Sequence, residues 1–257
     1  MRYLLALLAT TAMAAGAGSG GTYQERSDYK EVWKEEGFSD KCDVNIKKTT
    51  KVSGVLDGKG KTYCWKGAGY PNKCHAKEEI SENEPRMFEM ERGSTIKNMK
   101  VICTLDGFKM NDNTKIENVV FLDAEEDAIT TLGNGNIIRN NKFYLCQDKC
   151  IQMNKATKVT IEGNYFKHAL RAMSGSGANS GGATGIIARN NKCKNCELMI
   201  RAQRNHEMRA IGNSIDGGEA LFESVEKSKV CDGGGNVATG GAKLISKDST
   251  NEIKECR

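Results

Sequence analysis

The chain has 257 residues, 38% of them hydrophobic, with 38 basic and 33 acidic side chains and a net charge of +5. That length buries one substantial core, and a single domain is the default. The basic excess is small and scattered, with no regular aromatic platform, so nucleic-acid binding is not expected. Beyond the first residues no stretch is apolar enough to span a membrane.

Residues 1–17 read as a secretory signal peptide. Arg2 supplies the positive start, Tyr3 to Ala9 the apolar run, and cleavage after Ala14 or Ala17 follows small residues. Loss of Arg2 leaves a mature charge of +4. The mature chain is expected to be extracellular, free of membrane and monomeric. Residues 18–51 form an N-terminal extension in which Tyr29 to Glu36 suits a short helix, and such a segment often caps the open end of a repeat stack. Residues 52–257 make up the main domain. It opens with short strands broken by glycine turns, followed by a loop excursion over 65–85, which contains Gly67, Gly69, Pro71 and Pro85 and is held by Cys64 and Cys74.

Six stretches then read alike: Ile96-Lys-Asn-Met-Lys-Val101, Ile116-Glu-Asn-Val-Val-Phe121, Ile138-Arg-Asn-Asn-Lys-Phe143, Ile161-Glu-Gly-Asn-Tyr-Phe166, Ala188-Arg-Asn-Asn-Lys-Cys193 and Ala210-Ile-Gly-Asn-Ser-Ile215. Their starts lie 20, 22, 23, 27 and 22 residues apart. Short apolar runs closed by Gly or Asn are strands and turns, and a period near 22 with about three strands per unit predicts an all-β solenoid, a parallel β-helix. The recurring asparagines 98, 118, 140, 164, 190 and 213 suit a turn where the amide bonds along the stack and the backbone turns left-handed. A leucine-rich repeat is excluded by leucine spacing. The tail from Cys231 to Cys256 is expected to cross the last coils. Ten cysteines in an exported chain favour up to five disulfides, whose pairing the sequence leaves open. Cys193-Lys-Asn-Cys196 lacks the second ligand pair of a zinc site, because His75, His168 and His206 are not spaced to provide it.

One column of the repeat collects charge. Asp106 and Arg171 lie ten residues from their unit starts, and Asp127 and Lys149 lie eleven. Stacked strands are about 4.8 Å apart, so these four share one line, with Glu126 and Glu125 beside Asp127. The carboxylates repel one another unless a cation or proton intervenes, and their hard oxygens suit calcium. The alternative is a solvated charge ladder in which Asp106 pairs with a lysine such as Lys109.

Asp106-Gly-Phe, Glu126-Asp127-Ala-Ile-Thr, Asp148-Lys149-Cys-Ile-Gln-Met-Asn, Val159-Thr-Ile and Arg171 together resemble polysaccharide lyase family 3, the small secreted pectate lyases. The resemblance covers roughly residues 52–215. It implies a right-handed parallel β-helix of about 7–8 coils that cleaves polygalacturonate or pectin by calcium-dependent β-elimination. It implies Asp106, Glu126 and Asp127 as calcium ligands, Lys149 as the base taking the C5 proton, and Arg171 clasping a uronate carboxylate. Lys109, Lys167 and His168 are the accompanying substrate-binding candidates. A basic lysine needs its pKa lowered by nearby cations. The chain departs from the family pattern where Leu132 replaces a lysine and where His168-Ala-Leu-Arg171 replaces Lys-x-x-Arg. Two other functions compete: a non-catalytic calcium-dependent binder of acidic polysaccharide, and a glycoside hydrolase using Glu126 with Asp106 or Asp127.

Overall fold

The computed structural model describes residues 27–38, 42–65, 86–104, 106–124, 126–175 and 182–256. The expected signal peptide and the excursion at 66–85, Cys74 included, lie outside them. The rest is a right-handed parallel β-helix of about eight coils. Three parallel sheets run its length.

The first sheet stacks Val55–Asp57, the openings of Thr95–Thr104 and Lys115–Ala124, then Ile137–Arg139, Thr160–Glu162, Ile186–Arg189, Glu207–Ile211, Lys229–Asp232 and Lys254–Glu255. The second includes Thr62–Trp65, Lys142–Tyr144 and Tyr165–Lys167. The third stacks Thr50–Val52, Phe88–Met90, Phe108–Met110, Asp127–Thr131, Lys149–Met153, Arg171–Gly175 and the closing halves of Lys192–Ala202 and Ser214–Ser224, ending at Lys243–Ile245.

Register follows from what each strand buries. Ile96, Ile116, Ile138, Ile161, Ala188 and Ala210 form one fully buried column. Phe121, Phe143 and Phe166 stack face to face at 4.8 and 4.9 Å between ring centroids, close to the strand spacing. A shift of one residue would turn these side chains to solvent, so the apolar columns lock the coils in phase.

The asparagines divide into two columns that the repeat pattern had merged. Asn98, Asn118, Asn140 and Asn190 take the left-handed conformation, with Gly163 and Gly212 at the equivalent turn. Asn141, Asn164, Asn191 and Asn213 form a buried amide ladder one residue further on, which the half-buried Asn236 continues. Each side-chain oxygen there accepts from the amide of the rung before it, at 3.0 Å for Asn141 on Asn164 and for Asn164 on Asn191. Their NH₂ groups also reach main-chain carbonyls such as those of Ile116 and Ile138. The ladder satisfies buried polar groups that a narrow solenoid corner cannot hydrate.

The helix Ser27–Glu35 covers the flank of the stack rather than its open end. Val32, Trp33 and Phe38 pack on Cys64, Ile102, Leu122, Tyr144 and Leu145, residues carried by four successive coils of the second sheet. Glu36 completes the attachment with Lys142 at 2.7 Å. Four disulfides are described: Cys42–Cys64, Cys146–Cys150, Cys193–Cys196 and Cys231–Cys256. Cys64 therefore pairs with Cys42 and not with Cys74, because the extension returns beside Thr62–Trp65 in parallel register. The tail adds a final rung at Lys254–Glu255, tied by Cys256.

Candidate active site

The third sheet carries the charged column on its outer face. Lys149 pairs in register with Asp127 on one side and Arg171 on the other. Inward, Ala128 and Ile129, Cys150 and Ile151, and Ala172 and Met173 enter the core. Asp106 sits on the turn before Phe108–Met110, one rung below Asp127, where the Gly107 N–H donates to the Asp127 carbonyl at 2.9 Å. Glycine is required at this turn: a β-carbon on Gly107 would run into the Ala128 carbonyl oxygen. The Asp106-Gly107 dipeptide thus brings one coil's backbone close enough to line up the two carboxylates.

The side chains connect into a chain of charges. Arg86 Nε lies 3.0 Å from Asp106 Oδ2. Lys149 Nζ lies 3.3 Å from Asp127 Oδ1 and makes a short contact with Asp148 Oδ2. Asp148 Oδ1 accepts from Arg171 Nη1 at 2.8 Å. The Asp127 and Lys149 side chains are 8% and 11% exposed, whereas Asp148 and Arg171 are 30% and 25% exposed. Column depth therefore falls from the middle outward. Asp148 stands just before the strand Lys149–Met153, within the segment that the Cys146–Cys150 disulfide closes.

Burial, reinforced by the like charges of Asp106 and Asp148, pushes the Asp127 carboxyl up to about 7 even though Lys149 pulls it down. Burial works to lower Lys149, but Asp127 and Asp148 outweigh it and hold the ammonium above its ordinary range. Without a bound cation the balance at Lys149 is set by these two carboxylates. Among the described residues no three His, Cys, Asp or Glu side chains converge as a ready metal cage. Glu126 lies on the turn beside Asp127, its carbonyl accepting from the Lys149 N–H at 3.3 Å, and its side chain is exposed.

The substrate-binding candidates disperse. Lys109 shares the third sheet, but its amine is 3.0 Å from Glu89 Oε1, and Asp106 takes Arg86 in place of Lys109. Lys167 belongs to the second sheet, in register with Tyr144, on the face that adjoins the helix. His168 occupies the left-handed turn between these sheets, at φ 55°. The repeat reading missed two members of the column, Asp148 and Arg86. Asp148 falls 22 residues after Glu126, a full repeat step, and Arg86 falls 20 before Asp106. The same periodicity that found the others contained both.

The family model for pectate lyase matches residues 36–220, most of the chain and all of the column. The chain belongs to the pectate lyase family. It is similar to a probable pectate lyase E of Neosartorya fischeri, 31% identical over 166 residues that span 62% of this chain and 60% of that protein. It is also similar to pectate lyase E of Emericella nidulans, 32% identical over 128 residues, or 48% of each chain. The matched portion thus spans about 60% of the length of the first of these relatives and less of the second. Among solved structures, a bacteriophage CBA120 tailspike enzymatic domain superposes with a TM-score of 0.55 at 8% identity, covering 78% of this chain and 41% of that one. An exopolygalacturonase from Thermotoga maritima gives 0.51 at 12%, covering 76% and 63%. At such identities these two share the fold alone.

Proposed function

We propose that the protein is a secreted pectate lyase that cleaves polygalacturonate by β-elimination, with Lys149 as the base. The observation that carries this reading is the register Asp127–Lys149–Arg171 on one sheet face of a pectate lyase family chain. The paired charges give each group a task. Arg171, partly exposed and planar, clasps a uronate carboxylate by charge-assisted hydrogen bonds. Lys149 Nζ takes the C5 proton; the released electron pair forms the C4–C5 double bond as the C4–oxygen glycosidic bond breaks, and the leaving oxygen takes a proton from solvent. Lys149 can do this only after shedding Asp127 and Asp148 and losing its own proton, so activity rises toward alkaline pH.

Calcium fits the donor set, since Asp106, Glu126 and Asp127 offer hard carboxylate oxygens. These three would hold it, Asp106 and Asp127 giving up Arg86 and Lys149 to do so. Bound there, it would draw charge from the uronate carboxylate and acidify the neighbouring C–H. Export fits the disulfides, and among the described residues no helix is long and apolar enough to cross a membrane.

The test is the ultraviolet absorbance of unsaturated product from polygalacturonate at alkaline pH, with calcium and with a chelator. Folded protein that yields no such product with calcium would end the proposal. A second reading, a non-catalytic binder of acidic polysaccharide, is favoured by the charged, clamped state of Lys149 and by Leu132 and His168 standing where the family pattern has lysines. Binding without product would select it. Reducing ends without ultraviolet absorbance would instead indicate a hydrolase.

A further inference from the structure

Asp148 has a cation on each carboxylate oxygen. Oδ2 contacts the Lys149 amine and Oδ1 the Arg171 guanidinium. It is also the most exposed of the three, and its backbone is fixed by the Cys146–Cys150 closure. The two cations it bridges belong to adjacent coils, so a carboxylate between them sits in the groove line itself. Arg171 is only half used: its Nε is buried and has no hydrogen-bond partner, while Nη1 serves Asp148. A guanidinium prefers a carboxylate across two parallel N–H groups, and a buried N–H without an acceptor is costly. An acceptor that engaged Nε would satisfy what Asp148 leaves open.

We propose that the Asp148 carboxylate occupies the seat of the substrate's own carboxylate, between Lys149 and Arg171, and that an acidic sugar enters the groove by displacing it. The proposal rests on the reading of this groove as an acidic-glycan site, and it adds an internal competitor to that reading. Because the segment is closed covalently, displacement is a rotation of the Asp148 side chain with the backbone in place. The competitor lowers apparent affinity by the fraction of time it holds the seat. It also screens against neutral sugars, which cannot replace its charge on the two cations.

The experiment titrates D-galacturonate monomer, which has no linkage to cleave, into wild type, Asp148→Asn and Glu219→Gln in calcium-containing buffer, with galactose as the neutral counterpart. Glu219→Gln removes the same charge from the row that Asp148 occupies, further along the sheet. The expected result is an affinity about tenfold higher for Asp148→Asn, little change for Glu219→Gln, and no gain for galactose. Weakened calcium binding in Asp148→Asn would act in the opposite direction, so it cannot imitate this result. Equal or weaker binding by Asp148→Asn, or an equal gain in Glu219→Gln, overturns the proposal while leaving the acidic-glycan reading intact. Binding by Asp148→Asn alone supports the displacement and shows the wild-type groove closed by its own side chain. If neither binds, both the proposal and the reading fall. Thermal melts establish that each variant is folded, and Asp148→Ala substitutes if the asparagine is not.

Discussion

Two in-register columns of charge run along this solenoid, and they are built oppositely. On the first sheet Asp57, Lys97, Glu117, Arg139, Glu162 and Arg189 occupy successive rungs, so the sign alternates at every step. Each carboxylate has cations at hand: Arg139 Nη2 is 2.8 Å from Glu117 and Arg189 Nη2 is 2.9 Å from Glu162. On the third sheet the signs segregate, with Asp106 and Asp127 on neighbouring rungs and Lys149 and Arg171 on the next two. The titration directions separate them. On the first sheet a backbone N–H from Lys59 and the Asn98 amide hold Asp57 below its usual range. Glu117, although burial raises it, is brought down by Lys115 and Arg139. On the third sheet Asp127 is driven up to about 7. Stacking alone gives a charged ladder. Burial with segregated sign makes the third-sheet column the candidate site, because burial there moves a carboxylate far from its ordinary range.

The sharpest way to break this distinction is Lys149→Ala. If the third-sheet column is catalytic, product formation falls by about 10²–10⁴-fold, the usual worth of a positioned general base, while circular dichroism stays native. Retained activity would take Lys149 out of the role of base and place both columns in the same structural class. Arg171→Lys comes next. A lysine keeps the charge but loses the planar fork, and KM for polygalacturonate is expected to rise by about tenfold with a smaller change in kcat. An unchanged KM would mean that the guanidinium geometry is not what the substrate meets.

The fold was legible because its signals are local and repeated. The isoleucine column, the phenylalanines and the 20- to 27-residue step each specify a coil, and the coils stack without further instruction. Asp106, Asp127, Lys149 and Arg171 were legible for the same reason, since phase along a repeat becomes proximity in a stack. What periodicity cannot give is the partner of each side chain. Asp106 was within reach of lysines in sequence terms but takes Arg86, from the preceding rung. Lys167 is near Arg171 in sequence, yet strand alternation and the corner at His168 send it to another sheet. The two asparagine columns differ by one residue and looked like one, because a turn position and a ladder position carry the same residue type for different reasons. The raised pKa of Lys149 depends on side-chain partners, Asp127 first and then Asp148, which phase alone does not assign.

Asp127→Asn tests the burial half of the comparison through stability. Asp127 has a folded pKa near 7 against an ordinary value of 3.8. Its contribution is therefore fully present below about pH 4 and is lost as pH rises toward 7, because the unfolded chain gives up its proton first. In chelator, wild-type melting temperature should fall over that interval by several degrees more than that of the variant. Added calcium should restore the wild type and leave the variant unmoved. Parallel melting curves in the two proteins would show that the buried carboxylate carries no such imbalance.

The smallest expected effect belongs to the other column. Arg139→Ala removes one cation from the alternating ladder, where the guanidinium is 44% exposed and Glu117 keeps Lys115 at 2.9 Å. An exposed pair of this kind contributes about 0.2–1 kcal/mol, which in a domain of this size moves the melting temperature by only a few degrees at most. The loss should shrink further at high salt, since the pair lies in reach of mobile ions. Activity on polygalacturonate should be unchanged, because the first sheet presents a different face of the prism from the third. A large loss of activity in Arg139→Ala would be the more instructive failure. It would mean that the alternating column is itself part of the substrate path, and that segregation of sign is not what distinguishes a groove from a scaffold in this fold.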